Sequence, residues 1–592
     1  MARVLMPHRT SSAVLAEAQP GDLVIAPGEL PLPAIRGVRE VRREELVSPE
    51  ELAATAAAGA AVLRDWCARA AEASFVYGIP LSDAAGGPLL PAYLQALKAS
   101  LLLARFRARF GDPAEVVGAG GWSALRLGLA GSRRPPALHR VDEHGRRAVL
   151  RAGPLFWLWL RRWREQRAGE PPAPPVASTG AILGLANHRN RALLRRAEVA
   201  GLRIARLERL RGRKWLRFLP EVPVEANTVP AADAAWNAAL EIEPDESVGS
   251  FPRAHDWSPG AVLRATLAQG GPDLARGVLR EALLWRELIA AVRPRGVLGP
   301  LPWGGDLRTV CYVARATGVP FIAVQDAIVS ELGASDPLGP SRALAWGPSG
   351  REWFEERGLA GSDIAEVGEP YFEEWAARTR EIDPEQARRV LGLPYGRRIV
   401  LCALMPSAAH SLVLDNDSPL ADVEEIARGV AAARGWLLVI KPHRRLATID
   451  GFARVAETWA LAGRHGAWLL PPDTDLGLAV AASDVYVSAG DTLSLHAVAT
   501  GRPAVVLRRA GHAARAPELL SGDLPVAPCA GELTRLLEEG LRRPEVGAVL
   551  ERHFLLQEPL SEAIERLLAD RVAPDEREPT AVCLPTLAPR SR

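Results

Sequence analysis

The chain has 592 residues, 48% of them apolar, with 72 basic and 70 acidic side chains and a formal charge of +2. That length predicts two to four domains with sizeable cores, and the balanced charge argues against broad attraction to nucleic acid. No stretch approaches the ~18 to 20 apolar residues of a spanning helix, and Met1-Ala-Arg-Val-Leu-Met6 opens like a buried strand rather than a signal peptide, which predicts a cytoplasmic protein.

Short Val, Ile and Leu runs alternate with longer Ala/Leu/Arg segments of helical period, the pattern of parallel sheets covered by helices. In the first half, strands near 3–6, 22–25, 74–77 and 115–117 and helices near 50–71, 90–109 and 121–129 read as one doubly wound unit. The pattern breaks at about 135. There 137–141 and 147–150 read as a hairpin around Asp142-Glu-His-Gly145, followed by a Trp-rich helix and the proline-rich Gly169-Glu-Pro-Pro-Ala-Pro-Pro175, so 133–250 is predicted as an insertion or lid. Alternation returns with a helix at 260–292, a strand at 296–298, a helix at 307–317 and strands at 320–324, 342–346 and 364–367. After a charged helix at 383–391, a second cycle places strands at 398–404, 436–440, 467–470, 484–487 and 503–507. The expected fold is α/β and GT-B-like: two Rossmann-like, doubly wound domains facing a cleft, with an insertion in the first. Their predicted extents are 1–372 on the acceptor side and 373–545 on the nucleotide-donor side, then a C-terminal helix at 546–572 and a disordered tail at 573–592.

Five cysteines, Cys67, Cys311, Cys402, Cys529 and Cys583, lie far apart without metal-ligand spacing and predict structural thiols. Lysine is nearly absent, with only Lys98, Lys214 and Lys441 among the basic residues. Lys441 closes the apolar run Trp436-Leu-Leu-Val-Ile440 and precedes Pro442-His443. An ammonium is a compact point charge that can reach a phosphate where a planar guanidinium cannot, so a lysine kept at a strand end suggests a local need. Two strands later, Asp484-Val-Tyr-Val487 runs into Ser488-Ala-Gly490-Asp491-Thr492-Leu-Ser494, a turn opening a helix. Its amides and hydroxyls can hold an anion outside the strand ends. As an N-cap, Asp491 would instead satisfy those amides internally and repel an anion.

Taken with Ala497-Val-Ala-Thr-Gly501-Arg-Pro503, Gly318-Val-Pro-Phe-Ile-Ala-Val-Gln325, Ala345-Trp-Gly347 and Val367-Gly-Glu-Pro370, these segments resemble bacterial surface and capsular polysaccharide biosynthesis proteins of GT-B glycosyltransferase fold. The resemblance covers roughly 260–510, and Ser74–Asp83 also looks like a segment of the acceptor domain. It implies a metal-independent transferase that moves a sugar or polyol phosphate from a nucleotide-activated donor, a substrate rather than a cofactor, to a glycan or lipid-linked acceptor. Lys441, His443, Ser488, Gly490, Thr492, Ser494 and His496 would bind the donor, and Asp326 or Asp83 would serve as catalytic base, with Asp306 a third option. Three positions depart from the pattern: Arg444 replaces a proline, Gln325-Asp326-Ala327 replaces Gln-His-Gly, and His496 replaces a glutamate. Two other readings are a non-catalytic GT-B-like binding or scaffold protein and a UDP-sugar epimerase-like enzyme. Asp415-Asn-Asp417 reads as a turn before Pro419, so no metal is predicted. Phe156, Trp157, Trp159 and Trp163, interleaved with arginines, suit either a core helix or a helix lying on the inner face of the plasma membrane.

Overall fold

The structure, a computed structural model, describes residues 3–6, 18–25, 37–111, 113, 115–118, 137–140, 180–187, 190–208, 228–254, 257–302, 305–325, 341–404, 418–443, 458, 461–509, 524–541, 546–554 and 558–569. Three parallel sheets organise these residues.

The first sheet holds β1 (Arg3–Met6), β2 (Leu23–Ile25), β3 (Arg39–Val41), β6 (Glu115–Gly118) and β7 (Ala137–Arg140) in the order β3-β2-β1-β6-β7. The helix α1 (Pro49–Ala70) starts at a reciprocal capping box: Ser48 Oγ accepts from Glu51 N at 3.1 Å, and Ser48 N donates to the Glu51 carboxylate at 3.2 Å. The predicted strand at 74–77 is instead one arm of a small hairpin, β4 (Phe75–Val76) and β5 (Ile79–Pro80). Its loop, Tyr77 at φ 52° and Gly78 at φ 83°, has both residues in the left-handed region, as a tight two-residue hairpin loop requires. α2 (Leu81–Phe110) follows; its far half packs Leu101, Leu102 and Phe106 against Ile25 and Val41 of the first sheet.

The second sheet runs β13-β12-β11-β10-β8-β9. Its elements are β8 (Ile182–Ala186), α3 (Arg191–Val199), β9 (Ile204–Glu208), α4 (Thr228–Leu240), α5 (Pro259–Val292), β10 (Gly296–Pro300), α6 (Gly305–Ala316), β11 (Phe321–Val324), β12 (Ser341–Ala345), α7 (Pro348–Glu355), β13 (Ile364–Glu366) and α8 (Pro370–Arg380). This corrects the reading of 133–250 as an insertion. β8 is buried along its whole length and pairs with both β10 and β9, so the segment supplies part of the sheet itself. β7, the first arm of the expected hairpin, pairs parallel with β6, and the second arm at 147–150 lies outside the described residues.

The third sheet holds β14 (Arg398–Leu404), α9 (Ser418–Ala432), β15 (Trp436–Pro442), β16 (Trp468–Leu469), α10 (Leu476–Ala482), β17 (Val485–Ser488), α11 (Thr492–Ala499), β18 (Ala504–Leu507), β19 (Val526–Ala527) and α12 (Ala530–Glu539). Its order, β16-β15-β14-β17-β18-β19, is 3-2-1-4-5-6 in chain order, the dinucleotide-fold arrangement whose order reverses between the first and fourth strands. The second and third sheets form two Rossmann-like α/β domains. Two more helices, α13 (Val546–His553) and α14 (Leu560–Ala569), return to the first of them. There Leu560, Ala563, Ile564 and Leu567 join Ile182, Leu298, Ile322 and Leu344 in one core.

The opposite face of the second sheet meets a large core built from α1, α2, α4 and α5. In it Trp66 and Trp236 pack edge to face at 5.8 Å. Gly271 of α5 lets the Trp236 indole lie against the helix backbone, since a Cβ there would sit 2.1 Å from the ring. Gly271→Val should lower the urea unfolding midpoint by the equivalent of about 1–3 kcal/mol, the usual cost of overpacking. An unchanged midpoint would mean that the indole has room to move.

Candidate functional site

At a strand-order reversal, the helices that follow the two neighbouring strands leave on opposite faces and open a crevice at the carboxyl ends. In the third sheet that crevice lies between β14 and β17. The β17 end continues into the turn Ser488-Ala-Gly490-Asp491 and then α11. Ser488 Oγ accepts from Gly490 N at 3.0 Å and lies 2.9 Å from Ser494 Oγ, and both serines are buried. Gly490 takes φ 91°, a left-handed conformation that a Cβ would strain. Asp491 does cap the helix: its Oδ1 accepts from Ser494 N at 3.1 Å and its Oδ2 from the Tyr486 phenol at 2.6 Å. Burial, then the nearby Asp491 carboxylate and Cys402, push that phenol well above the ordinary tyrosine range.

The predicted donor residues divide by exposure. Ser488 and Ser494 spend their hydroxyls on the turn, and Gly490, Thr492 and His443 are half-buried at the surface of the crevice end. Lys441 is tied down by carbonyls. It lies beside the β14 end, paired with Ala403; the residue is 6% exposed, and its ammonium donates to the carbonyls of Pro442 at 3.1 Å and Pro472 at 3.0 Å. A buried ammonium needs acceptors on all sides, and a tight group of carbonyls suits its three donors better than a planar guanidinium. The survival of a lysine here is thereby explained by a clamp between the β15 end and the loop after β16. With β14 between them, β15 and β17 stand roughly 10 Å apart at the usual strand spacing.

His496 meets aromatic rings. The residue is 9% exposed, and its ring packs against Phe372 at 4.5 Å and Trp375 at 4.9 Å, both on α8. Phe372 stacks in turn on Phe554 at 4.0 Å with rings 11° from parallel, and Phe554 stacks on Trp346 beyond the end of β12. This aromatic junction ties α11 to the second sheet.

Asp83 sits in the first turn of α2. Its Oδ1 accepts from Arg308 Nη2 at 2.7 Å, and its Oδ2 from Arg308 Nε at 2.9 Å and from the Tyr312 phenol. Arg308 is 3% and Asp83 15% exposed at the side chain, so this ion pair joins α2 to α6 and fixes the Asp83 carboxylate in place. Asp326, Asp415–Asp417 and the segment carrying Phe156, Trp157, Trp159 and Trp163 lie outside the described residues, as does the side chain of Asp306.

One group near the crevice escaped the sequence reading. Arg509, just past β18, donates to Asp422 of α9 at 2.9 Å, with Asp422 buried. Burial, and after it the fields of Asp491 and Asp422, raise the Cys402 thiol on β14, so both carboxylates lie within electrostatic reach of that central strand. The signal was its position: Arg509 follows a strand end as Lys441 closes one. Among the described residues no cluster of three or more His, Cys, Asp or Glu side chains could hold a metal, and no helix is long and apolar enough to cross a membrane.

No family model and no curated protein sequence matches the chain. Among solved structures it is similar to the UDP-GlcNAc 2-epimerase from Neisseria meningitidis bound to UDP-GlcNAc, at 11% identity over 66% of this chain and 100% of that one, with a TM-score of 0.40. The UDP-N-acetylglucosamine 2-epimerase of Rickettsia bellii gives 11% identity, 67% and 97% coverage and 0.40. The wall teichoic acid polymerase TagF gives 10%, 50% and 74%, and 0.31. It is the strand orders that define the two Rossmann-like domains.

Two measurements probe the site. Lys441→Met strands the Pro442 and Pro472 carbonyls and should cost about 1–3 kcal/mol in denaturant unfolding; full stability in this variant would refute the clamp. The raised Tyr486 phenol works in the alkaline range. Below the unfolded-state value of about 10 its contribution is fully present, and above it the unfolded chain gives up a proton that the folded chain retains, so stability falls with rising pH. Urea midpoints from pH 8 to 11 should fall less steeply in Tyr486→Phe.

Proposed function

We propose that the third-sheet domain binds a nucleotide-activated sugar at the β14/β17 reversal, and that the protein transfers the sugar, or a polyol phosphate, to a surface glycan or lipid-linked acceptor. The observation that carries this reading is the 3-2-1-4-5-6 strand order, with a glycine-containing, left-handed turn opening a helix at the reversal. Gly490 and Thr492 would approach the diphosphate, and His443 and Arg509 would supply donors from the neighbouring strand ends. Because Asp491 already caps α11, phosphate charge would be met chiefly by these side chains and less by the helix end. Lys441, Ser488 and Ser494 would hold the shape of the site from beneath. Asp326 is the proposed base, since Asp83 is committed to Arg308. Transfer of this kind asks the protein mainly to stabilise the leaving phosphate and to accept one proton from the acceptor hydroxyl. A place in the cytoplasm at the inner membrane face, with Phe156, Trp157, Trp159 and Trp163 in contact with lipid, belongs to the same proposal.

Thermal unfolding in the presence of CMP-, CDP-, UDP- and GDP-linked donors tests the binding step, because a ligand held only by the folded state stabilises it. One nucleotide class should raise the transition temperature, and Gly490→Val should abolish the rise while leaving the circular dichroism spectrum unchanged. If no donor stabilises the protein, the proposal fails. With a binding donor in hand, turnover of the donor sugar without any acceptor would favour epimerase-like chemistry over transfer. Binding with no turnover would favour a scaffold.

A further inference from the structure

The segment Ser74–Asp83 is built with unusual care for a stretch that the nucleotide proposal does not use. Ser74 Oγ donates to Ser82 Oγ at 2.9 Å and accepts from Ser82 N at 3.1 Å, and Ser82 Oγ donates to the Cys67 carbonyl at 3.0 Å. Cys67 Sγ donates in turn to the Ser82 carbonyl at 3.3 Å. Between these two ties the chain makes its hairpin through Tyr77, one of two non-glycine residues with positive φ among those described, a conformation that costs free energy and persists only where the surroundings impose it. Gly78 beside it lies against α6, where a Cβ would stand 2.6 Å from that of Ala316. The hairpin thus delivers Asp83 to α6 at a fixed place.

What that placement creates is a cavity of about 200 Å³ between α1, α2 and α6. Ala60, Leu63, Gly86 and Leu90 give it apolar walls, Asp83 and Tyr312 form its polar end, and exposed Arg64 stands at the rim. Gly86 keeps the space open on one side, since a Cβ there would press on Cys67 Sγ at 2.8 Å. A dry cavity of about 150 Å³ is enough to take benzene. This one differs in having a carboxylate in its lining. A carboxylate offers about four lone-pair positions, and three on Asp83 are used, two by the Arg308 guanidinium and one by Tyr312. Among the described residues no donor takes the remaining acceptor position, on Oδ1.

We infer that this cavity is a binding site for a small molecule with an apolar, single-ring-sized body and a hydroxyl group, the ring filling the space between α1 and α2 and the hydroxyl donating to Asp83. The ion pair with Arg308 makes Asp83 a fixed, neutralised acceptor, which selects a neutral hydroxyl over a free cation. Arg64 and the exposed rim give the ligand a path from solvent. This site is independent of the nucleotide proposal and stands if that one fails.

The test uses the full-length protein with phenol as probe, anisole as the ether that keeps the oxygen but lacks the donor, and ligand-observed saturation-transfer NMR titrations to read affinity. Phenol should bind about tenfold more tightly than anisole, in keeping with one hydrogen bond to a charged group. Ala60→Leu, which fills the cavity without touching the ion pair, should abolish binding of both. Asp83→Asn should bring the two affinities together; should that variant fail to fold, Ala60→Leu and the phenol-to-anisole ratio still decide. Equal affinities in the native protein, or phenol binding that survives Ala60→Leu, would overturn the inference.

Discussion

The inner parallel strands of the second and third sheets have no face to give to water, and that constraint shapes the molecule. Each of them needs apolar cover above and below, and connections between parallel strands must cross from one end to the other. The long helices α2 and α5 answer the first demand. α2 covers the first sheet with Leu101, Leu102 and Phe106, while its earlier turns place Tyr93, Leu94 and Leu97 in the core beneath the second sheet. The return of α14 to the other face of that sheet answers the same demand from the far end of the chain, where Arg342 also reaches the Leu567 carbonyl.

Burial of this extent leaves the charges near the sheets few places to go, and each is met by a specific partner. Lys441 finds two carbonyls, Asp491 an amide and a phenol, Asp83 a guanidinium and a phenol, and Asp422 the guanidinium of Arg509. Removing one member of such a pair leaves the other desolvated, at a cost of about 3–5 kcal/mol for a buried ion pair. Several residues whose chemistry suggests catalysis are therefore parts of the frame. Beside them, Gly490 rests on the buried hydroxyl of Ser488, and Thr492 opens α11 half-buried.

The aromatic junction links these two levels. His496 is on the helix that opens from the candidate turn, and its ring packs on Phe372 and Trp375, which belong to the helix leaving the second sheet. Phe554, stacked on both Phe372 and Trp346, closes the group, and His553 beside it lies 2.8 Å through Nδ1 from Ser349 Oγ. A glutamate at 496 would bring a carboxylate against these aromatic rings, which gives a packing reason for histidine at a position where the resembling pattern has a carboxylate.

The sequence by itself determined the α/β class, the parallel alternation and most strands of the third sheet, because short Val/Ile/Leu runs between helical segments leave few other ways to bury apolar surface. It also marked the Ser488–Thr492 turn, since glycine and an N-cap aspartate at a strand end carry local conformational meaning. Only the tertiary structure decided where β8 and β9 belong. A buried strand looks the same whether it joins a neighbouring sheet or an inserted lid, and the proline-rich stretch before it suggested a boundary. It decided likewise that Lys441 turns to carbonyls, that His496 is enclosed by aromatics and that Asp83 is taken by Arg308, 225 positions away in the chain. Side-chain chemistry is written in the sequence, but which partner satisfies a buried charge depends on elements that meet only when the chain has folded.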